Sequence, residues 1–472
     1  MNAVPSRSFP AVLVITTLVA VTGVWFGLQS RSQGEVRLTG ENPTPTGKPI
    51  SHGTAIGNTG CMAAACHGGP AAETLAGKFS EHTWEGSGTC WNARDPHARA
   101  YSLLTDTPDR PVRATAKQIM ERMHSTIPAT EDVRCLACHS NPSLAAQGTS
   151  DPHIVSLRRE GVGCESCHGN ASGWLREHTT WKSDNHAEYA SVGMTPLFDI
   201  GDRAMTCLGC HVGAPADPAR GYAVRDMNHD MIAAGHPRLD FDFAEFHREL
   251  PKHWQEMEHP PTGAKPRGPA FEARMWLVGR VAQAETACKL LADRAERAKA
   301  NDPRTPWPEL AEFNCAACHH DLPEPWRSDA KDLGTRTLGA LRWQTIWPVT
   351  ESQEFAAIQP VLTIMQRARP AGFGTIGPVA HQSAKNLTEV RQNLVAMSDA
   401  EMVQKAQVGF PSAVSEHPGW DTAGQMLWGF AALDRAHVLN RPIAEFDTAF
   451  DAVRKREWAT AKTALDKLFG KP

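Results

Sequence analysis

The chain has 472 residues, long enough for several domains, with 41% hydrophobic and 21% charged residues and a formal charge of −4. A balance this close to neutral excludes a surface basic enough to hold nucleic acid. With 37 Gly and 34 Pro against 3 Tyr, the composition suits helices broken by many loops.

Residues Ser8 to Ser30 carry no charge, and the apolar run Ala11–Leu28 is bounded by Arg7 and Arg31. About 20 apolar residues suffice to cross a bilayer as a helix. No Ala-x-Ala pattern follows Leu28, so residues 1–30 are expected to be an uncleaved signal anchor, a transmembrane helix, rather than a removed signal peptide. Arg7 then keeps the extreme N-terminus cytoplasmic and the body is exported, which places it on the periplasmic side, anchored to the cytoplasmic membrane. Residues 31–58, rich in Gly, Pro, Thr and Ser, read as a flexible linker.

Five Cys-His clusters follow. The first, Cys61-Met62-Ala63-Ala64-Ala65-Cys66-His67, has a long spacer. The others are Cys135-Leu136-Ala137-Cys138-His139, Cys164-Glu165-Ser166-Cys167-His168, Cys207-Leu208-Gly209-Cys210-His211 and Cys315-Ala316-Ala317-Cys318-His319. Cys-x-x-Cys-His is the attachment site of c-type haem: the two thiols bond the vinyl groups and the next His takes one face of the iron. Zinc ribbons and thioredoxin-type pairs need no His directly after the second Cys, and a large exported chain has no use for so many very short disulfide loops. The four short motifs therefore imply four haems c. Cys61/Cys66 is read as a fifth site, with a local disulfide as its alternative. Cys90 and Cys288 read as buried single cysteines.

Each iron has a second face. A haem with His on both sides is saturated and suits electron transfer, whereas an open face can bind a small molecule. Among the other histidines, His97 follows Pro96, which would start a helix and project it. His178 lies shortly after Cys167-His168. His229 and His236 are seven apart, on one face of a helix at about 10 Å, with Pro237 ending it. These four are the distal-ligand candidates. His82, His124, His153, His247, His253 and His320 stand in less suggestive settings.

Between Pro269 and Pro303 one long helix is expected from Ala270, with Met275, Val278, Val281, Ala282 and Leu290 at helical spacing. Residues 59–325 form the multihaem domain. Residues 326–472 hold no Cys and carry helical periodicity over Ala423–Val438 and Ile443–Leu468, so they read as an α-helical C-terminal domain that caps the haem core. The fold class is mainly α: a loop-rich multihaem cytochrome c core with an N-terminal membrane anchor.

Three phrases, Gly161-Val162-Gly163-Cys164-Glu165-Ser166-Cys167-His168-Gly169, Asp95-Pro96-His97-Ala98 and His229…His236-Pro237, resemble the cytochrome c554 family of exported electron-relaying cytochromes. The resemblance covers about residues 59–253. It implies closely packed haem pairs, mostly bis-His ligation, and one haem open on its distal side. Five candidate sites instead of four, and the Cys-free C-terminal extension, depart from it.

The function expected is electron relay between redox partners, either a membrane quinol-linked complex or an exported oxidoreductase, and not catalysis. One alternative is a multihaem oxidoreductase acting on a small nitrogen or sulfur compound at an open haem, with Arg99 and Tyr101 near the pocket. Against it, no Cys-x-x-Cys-Lys motif of the pentahaem nitrite reductases is present. A further alternative is a redox subunit docked through the C-terminal helices.

Overall fold

The computed structural model describes residues 52–70, 84–105, 112, 114–148, 150–181, 186–239, 241–254, 256–258, 265–268, 270–302, 304–312, 353–365, 372–409, 420–438, 445–455 and 457–469. All lie in one compact unit, Pro49–Pro472. The expected anchor, residues 1–30, lies outside the described residues, as does the last motif, Cys315–His319. Among the described residues no helix is long and apolar enough to cross a membrane.

The architecture is helical, with one two-residue antiparallel ribbon pairing Met257–Glu258 with Lys265–Pro266. Its centre is the helix Ala270–Lys299, 30 residues long and thus about 45 Å from end to end. Met275, Trp276, Leu277 and Val278 are consecutive and all buried, so this helix is enclosed on every side. Gly279 is small for a reason: a Cβ there would stand 2.6 Å from the Phe243 side chain.

Around it pack Phe373–Ala396, Asp399–Gly409, Trp420–Arg435, Ile200–His211 and Phe243–Glu249, while Gln353–Met365 packs on Phe373–Ala396. One continuous apolar core runs from Ile200 and Leu208 through the long helix to Leu465 and Leu468. The C-terminal helices therefore share their core with the helix that carries a Cys-x-x-Cys-His motif, as a packing cap would. The expected boundary at residue 325 falls outside the described residues.

Three charges on the long helix, Arg280, Glu285 and Arg294, are buried and paired. Arg280 donates to Asp242 at 2.8 Å, and Glu285 accepts from Arg391 at 2.7 Å and from Lys289 at 2.6 Å. Arg294 meets Asp226 and Glu312. Arg274 bonds the terminal carbonyls of Leu394 (2.9 Å), Val395 (3.0 Å) and Met397 (2.7 Å), which ties off the end of Phe373–Ala396.

The region before residue 200 is built differently. Its helices are short and its apolar cluster is small, made of Tyr101, Leu104, Met120, Leu136 and a few alanines. Capping carries much of its order: Asp132 caps Val133–His139, Asp151 caps Pro152–Arg158, and Asp199 caps Ile200–His211.

Two expectations are corrected here. The linker does not run to residue 58, because its last residues are docked: Thr54 N donates to Ser172 Oγ (2.6 Å), Gly57 N to Glu165 (2.9 Å) and Asn58 N to Glu160 (2.6 Å). The His229–His236 helix is shorter than its spacing suggested. It spans His229–Ala234 and ends at Gly235, whose φ of 113° is left-handed, so His236 lies beyond it.

Candidate haem-binding sites

Each short motif among the described residues closes a helix. Cys135–His139 ends Val133–His139, Cys164–His168 is itself a helical turn, and Cys207–His211 ends Ile200–His211. A helical turn brings the first Cys and the His, four positions apart, onto one side. The long-spacer motif reaches a similar closeness by another path. The helix Asn58–Cys61 stops, the extra residues turn, and His67 N–H returns to the Cys61 carbonyl at 3.1 Å.

The imidazoles come together in pairs that the sequence leaves far apart. His67 and His178 have ring centroids 6.2 Å apart with planes 20° from parallel. His97 and His211 stand at 6.1 Å and 89°, and His139 and His236 at 6.3 Å and 82°. An imidazole nitrogen bonds a transition metal at about 2.0–2.1 Å and the ring centroid lies about 1.1 Å behind it, so two rings on opposite faces of one iron stand about 6.3 Å apart.

The outer nitrogens support the same fit. Nδ1 of His67 pairs with the Trp84 carbonyl (2.9 Å) and Ser87 Oγ (3.0 Å), and Nδ1 of His97 with Asp95 (2.9 Å). Nδ1 of His139 pairs with the Ala100 carbonyl (2.9 Å), that of His236 with the Pro237 carbonyl (2.8 Å), and that of His178 with the Leu175 carbonyl. Tying Nδ1 fixes the tautomer and leaves Nε2 as the nitrogen available to a metal, the usual second partner of a ligating His. His211 is held instead by stacking on Phe241 at 4.5 Å. Burial lowers its pKa to about 4, and the charge of His97 adds to this, which keeps the ring neutral. These residues fit haem c.

His168 is also enclosed and its pKa is lowered to about 4, mainly by burial and then by the charges of His253, His67 and Arg203. Its Nδ1 is buried without a hydrogen-bond partner. Among the described residues no ring stands across from it as in the three pairs. His229 begins its short helix, with its backbone N–H held by Glu309 at 2.9 Å.

The thiols show which motifs adjoin. Cys61 adjoins Cys164, whose N–H is held by Asn58 Oδ1 at 3.0 Å, and Cys138 adjoins Cys210, whose Sγ lies 4.0 Å from the Ala137 carbonyl. With haem attached these sulfurs are thioethers, so the contacts mark where two attachment peptides meet. The Cys138 contact, followed by the Arg225 charge, lowers Cys210 to about 6. Burial pushes Cys135 and Cys207 up to about 12. Burial raises Cys167 too, and the fields of Cys207 and Cys210 reach it.

Of the less suggestive histidines, His153 is exposed and His124 holds a left-handed φ of 53°. His247 is buried in a cluster the sequence did not reveal: its Nε2 lies 3.0 Å from Glu256 and 2.8 Å from Arg203. Burial would raise Glu256, but the His247 hydrogen bond and Arg203 outweigh it and hold the carboxyl far below its usual range. Three elements converge there, and none carries a local signal. Cys90 and Cys288 are buried, as expected. His82, His320 and the residues Cys315, Cys318 and His319 lie outside the described residues.

Compared with known proteins, residues 84–169 match the family model described as cytochrome c554 and c-prime. No curated protein and no solved structure matches the chain.

Proposed function

We propose, from the match of residues 84–169 to the cytochrome c554 and c-prime family model, that the chain is an exported, membrane-anchored multihaem c-type cytochrome. It relays electrons between a membrane quinol-linked complex and an exported redox partner, and carries five haems c. The observation that carries this reading is the set of histidine pairs at 6.1–6.3 Å, every ring but His211 with its Nδ1 tied. When bound, haem c supplies a one-electron couple whose potential follows its axial ligands and burial.

The chain's own residues do the rest. His67 with His178, His97 with His211, and His139 with His236 would hold three haems and keep small molecules off them. The carbonyls behind His67, His139, His178 and His236, Asp95 behind His97 and Phe241 against His211 hold the rings in one orientation. The thiol contacts support an order along the relay: the Cys61/Cys66 site next to Cys164/Cys167, then Cys207/Cys210, then Cys135/Cys138.

Mass of the matured protein together with EPR of the oxidised form tests this reading. Five haems are expected. The near-parallel rings of His67 and His178 should give a rhombic low-spin signal, and the two near-perpendicular pairs a broader, more anisotropic one. Haem-free protein, or high-spin signals throughout, would overturn it.

A second reading, an oxidoreductase acting on a small nitrogen or sulfur compound, draws on His168. It has no ring opposite among the described residues, and the Arg203–His247–Glu256 cluster lies near enough for Arg203 to bear on it. A high-spin signal that shifts on adding nitric oxide would favour that reading.

A further inference from the structure

The two places where attachment peptides meet carry opposite fixed charge. At the Cys61/Cys164 contact, Glu165 is only 3% exposed and accepts Ile56 N (3.0 Å), Gly57 N (2.9 Å) and Ala171 N (2.7 Å). Both of its oxygens are taken up by N–H donors, which is an acceptor-only arrangement suited to the ionised carboxylate. No cation pairs with it among the described residues. Glu160 lies close by, accepting Asn58 N at 2.6 Å, and both carboxylates act on Cys61. The junction is tight, because a Cβ on Gly163 would stand 2.3 Å from the Asn58 Oδ1 that accepts Cys164 N.

At the Cys138/Cys210 contact the charge is Arg225. Its guanidinium lies along the Cys-x-x-Cys turn itself, since a Cβ on Gly209 would meet it at 3.2 Å. It sits over the Tyr222 ring at 5.1 Å, its Nε is buried without a hydrogen-bond partner, and no carboxylate pairs with it among the described residues. Of the other charges nearby, Arg134 is compensated by Asp132 at 2.5 Å and Arg203 by Glu256 at 2.7 Å, while Asp95 is held by the neutral His97 Nδ1 at 2.9 Å and keeps its charge.

We infer that these residues give the relay a built-in direction. Glu165 and Glu160 lower the reduction potentials of the haems at Cys61 and Cys164, and Arg225 raises those of the haems at Cys138 and Cys210. A buried carboxylate disfavours adding an electron beside it, and a buried guanidinium favours it. The propionates are common to every haem, so the difference comes from the chain. One electron leaves a reduced haem at the Glu165 end and reduces an oxidised haem at the Arg225 end, with no bond made or broken. The inference rests on the haem-relay reading above.

Its test is a redox titration of the full, haem-loaded chain followed by optical and EPR spectra, with haem count by mass for every variant. Arg225→Gln is expected to lower the potentials of the two haems at its junction and leave the parallel-ring His67/His178 signal at its original potential. Arg225→Lys should restore them. Glu165→Gln, or the milder Glu160→Gln, should raise the potential at which the His67/His178 signal is lost. Full haem count with unmoved potentials in both Arg225→Gln and Glu160→Gln would overturn the inference while leaving the relay intact. Equal shifts in Arg225→Gln and Arg225→Lys would also overturn it, by showing a packing effect. Wild-type chain without haem at these cysteines would remove both readings.

Discussion

The region before residue 200 and the bundle around the Ala270–Lys299 helix solve the problem of an interior in opposite ways. The bundle fills it with side chains: Val278, Val281, Leu291, Ile376, Leu387 and Leu427 are all essentially inaccessible. Burying such a side chain stabilises by about 1.5–3 kcal/mol each. The earlier region has a small apolar cluster, many caps, and paired imidazoles facing one another across about the width of an iron. Its interior is made for a group the chain does not encode. One region should be stable as polypeptide, and the other only when loaded.

The largest test of that contrast is Cys167→Ala. The variant should lose one haem by mass, and amide hydrogen exchange should rise across residues 52–181 while the helices Ala270–Lys299 and Phe373–Ala396 stay protected. Uniform loss of protection would mean a single cooperative unit. Next comes Arg280→Met, which leaves Asp242 buried and uncompensated. Removing one partner of such a pair costs about 3–5 kcal/mol, so the thermal midpoint should fall with haem content unchanged. A smaller, local effect is expected from His97→Met. A thioether in place of imidazole raises the potential of one haem and changes its spectrum, leaving the His67/His178 signal alone. An unchanged spectrum would remove His97 from the ligand set.

The smallest effect is acid lability. Burial would raise the Asp226 carboxyl, but Arg294 and Arg297 outweigh it, and its pKa lies below the ordinary value. A carboxylate depressed in the folded state stabilises above its unfolded pKa of about 3.9, and that stability is lost as pH falls through its folded value. Thermal midpoints measured from neutral pH downward should drop faster for wild type than for Asp226→Asn below about pH 4. Parallel curves would show that the ion pair carries no pH dependence.

Much of this was legible in the sequence where a local rule decides. The long helix begins at Ala270 as its apolar spacing predicts, His97 follows a Pro that starts a 3-10 helix, and the C-terminal periodicities fall on Trp420–Arg435, Phe446–Lys455 and Trp458–Phe469. The proximal histidines are written into the motifs. What spacing could not give is partnership. His178 faces His67 and His211 faces His97 only because distant loops converge, and no periodicity records that. Gly235 broke the helix inferred from the His229–His236 spacing, because its left-handed φ ends the turn two residues before the proline. Arg225, Glu165 and the Arg203–His247–Glu256 cluster had no sequence signal, being isolated charges whose neighbours are set by tertiary packing.

The clasp of Glu165 on Ile56 and Gly57 joins positions more than a hundred residues apart. Closing so long a loop is entropically slow and comes after local structure has formed. Cys61 is therefore seated only after the Cys164–His168 turn it docks against has formed.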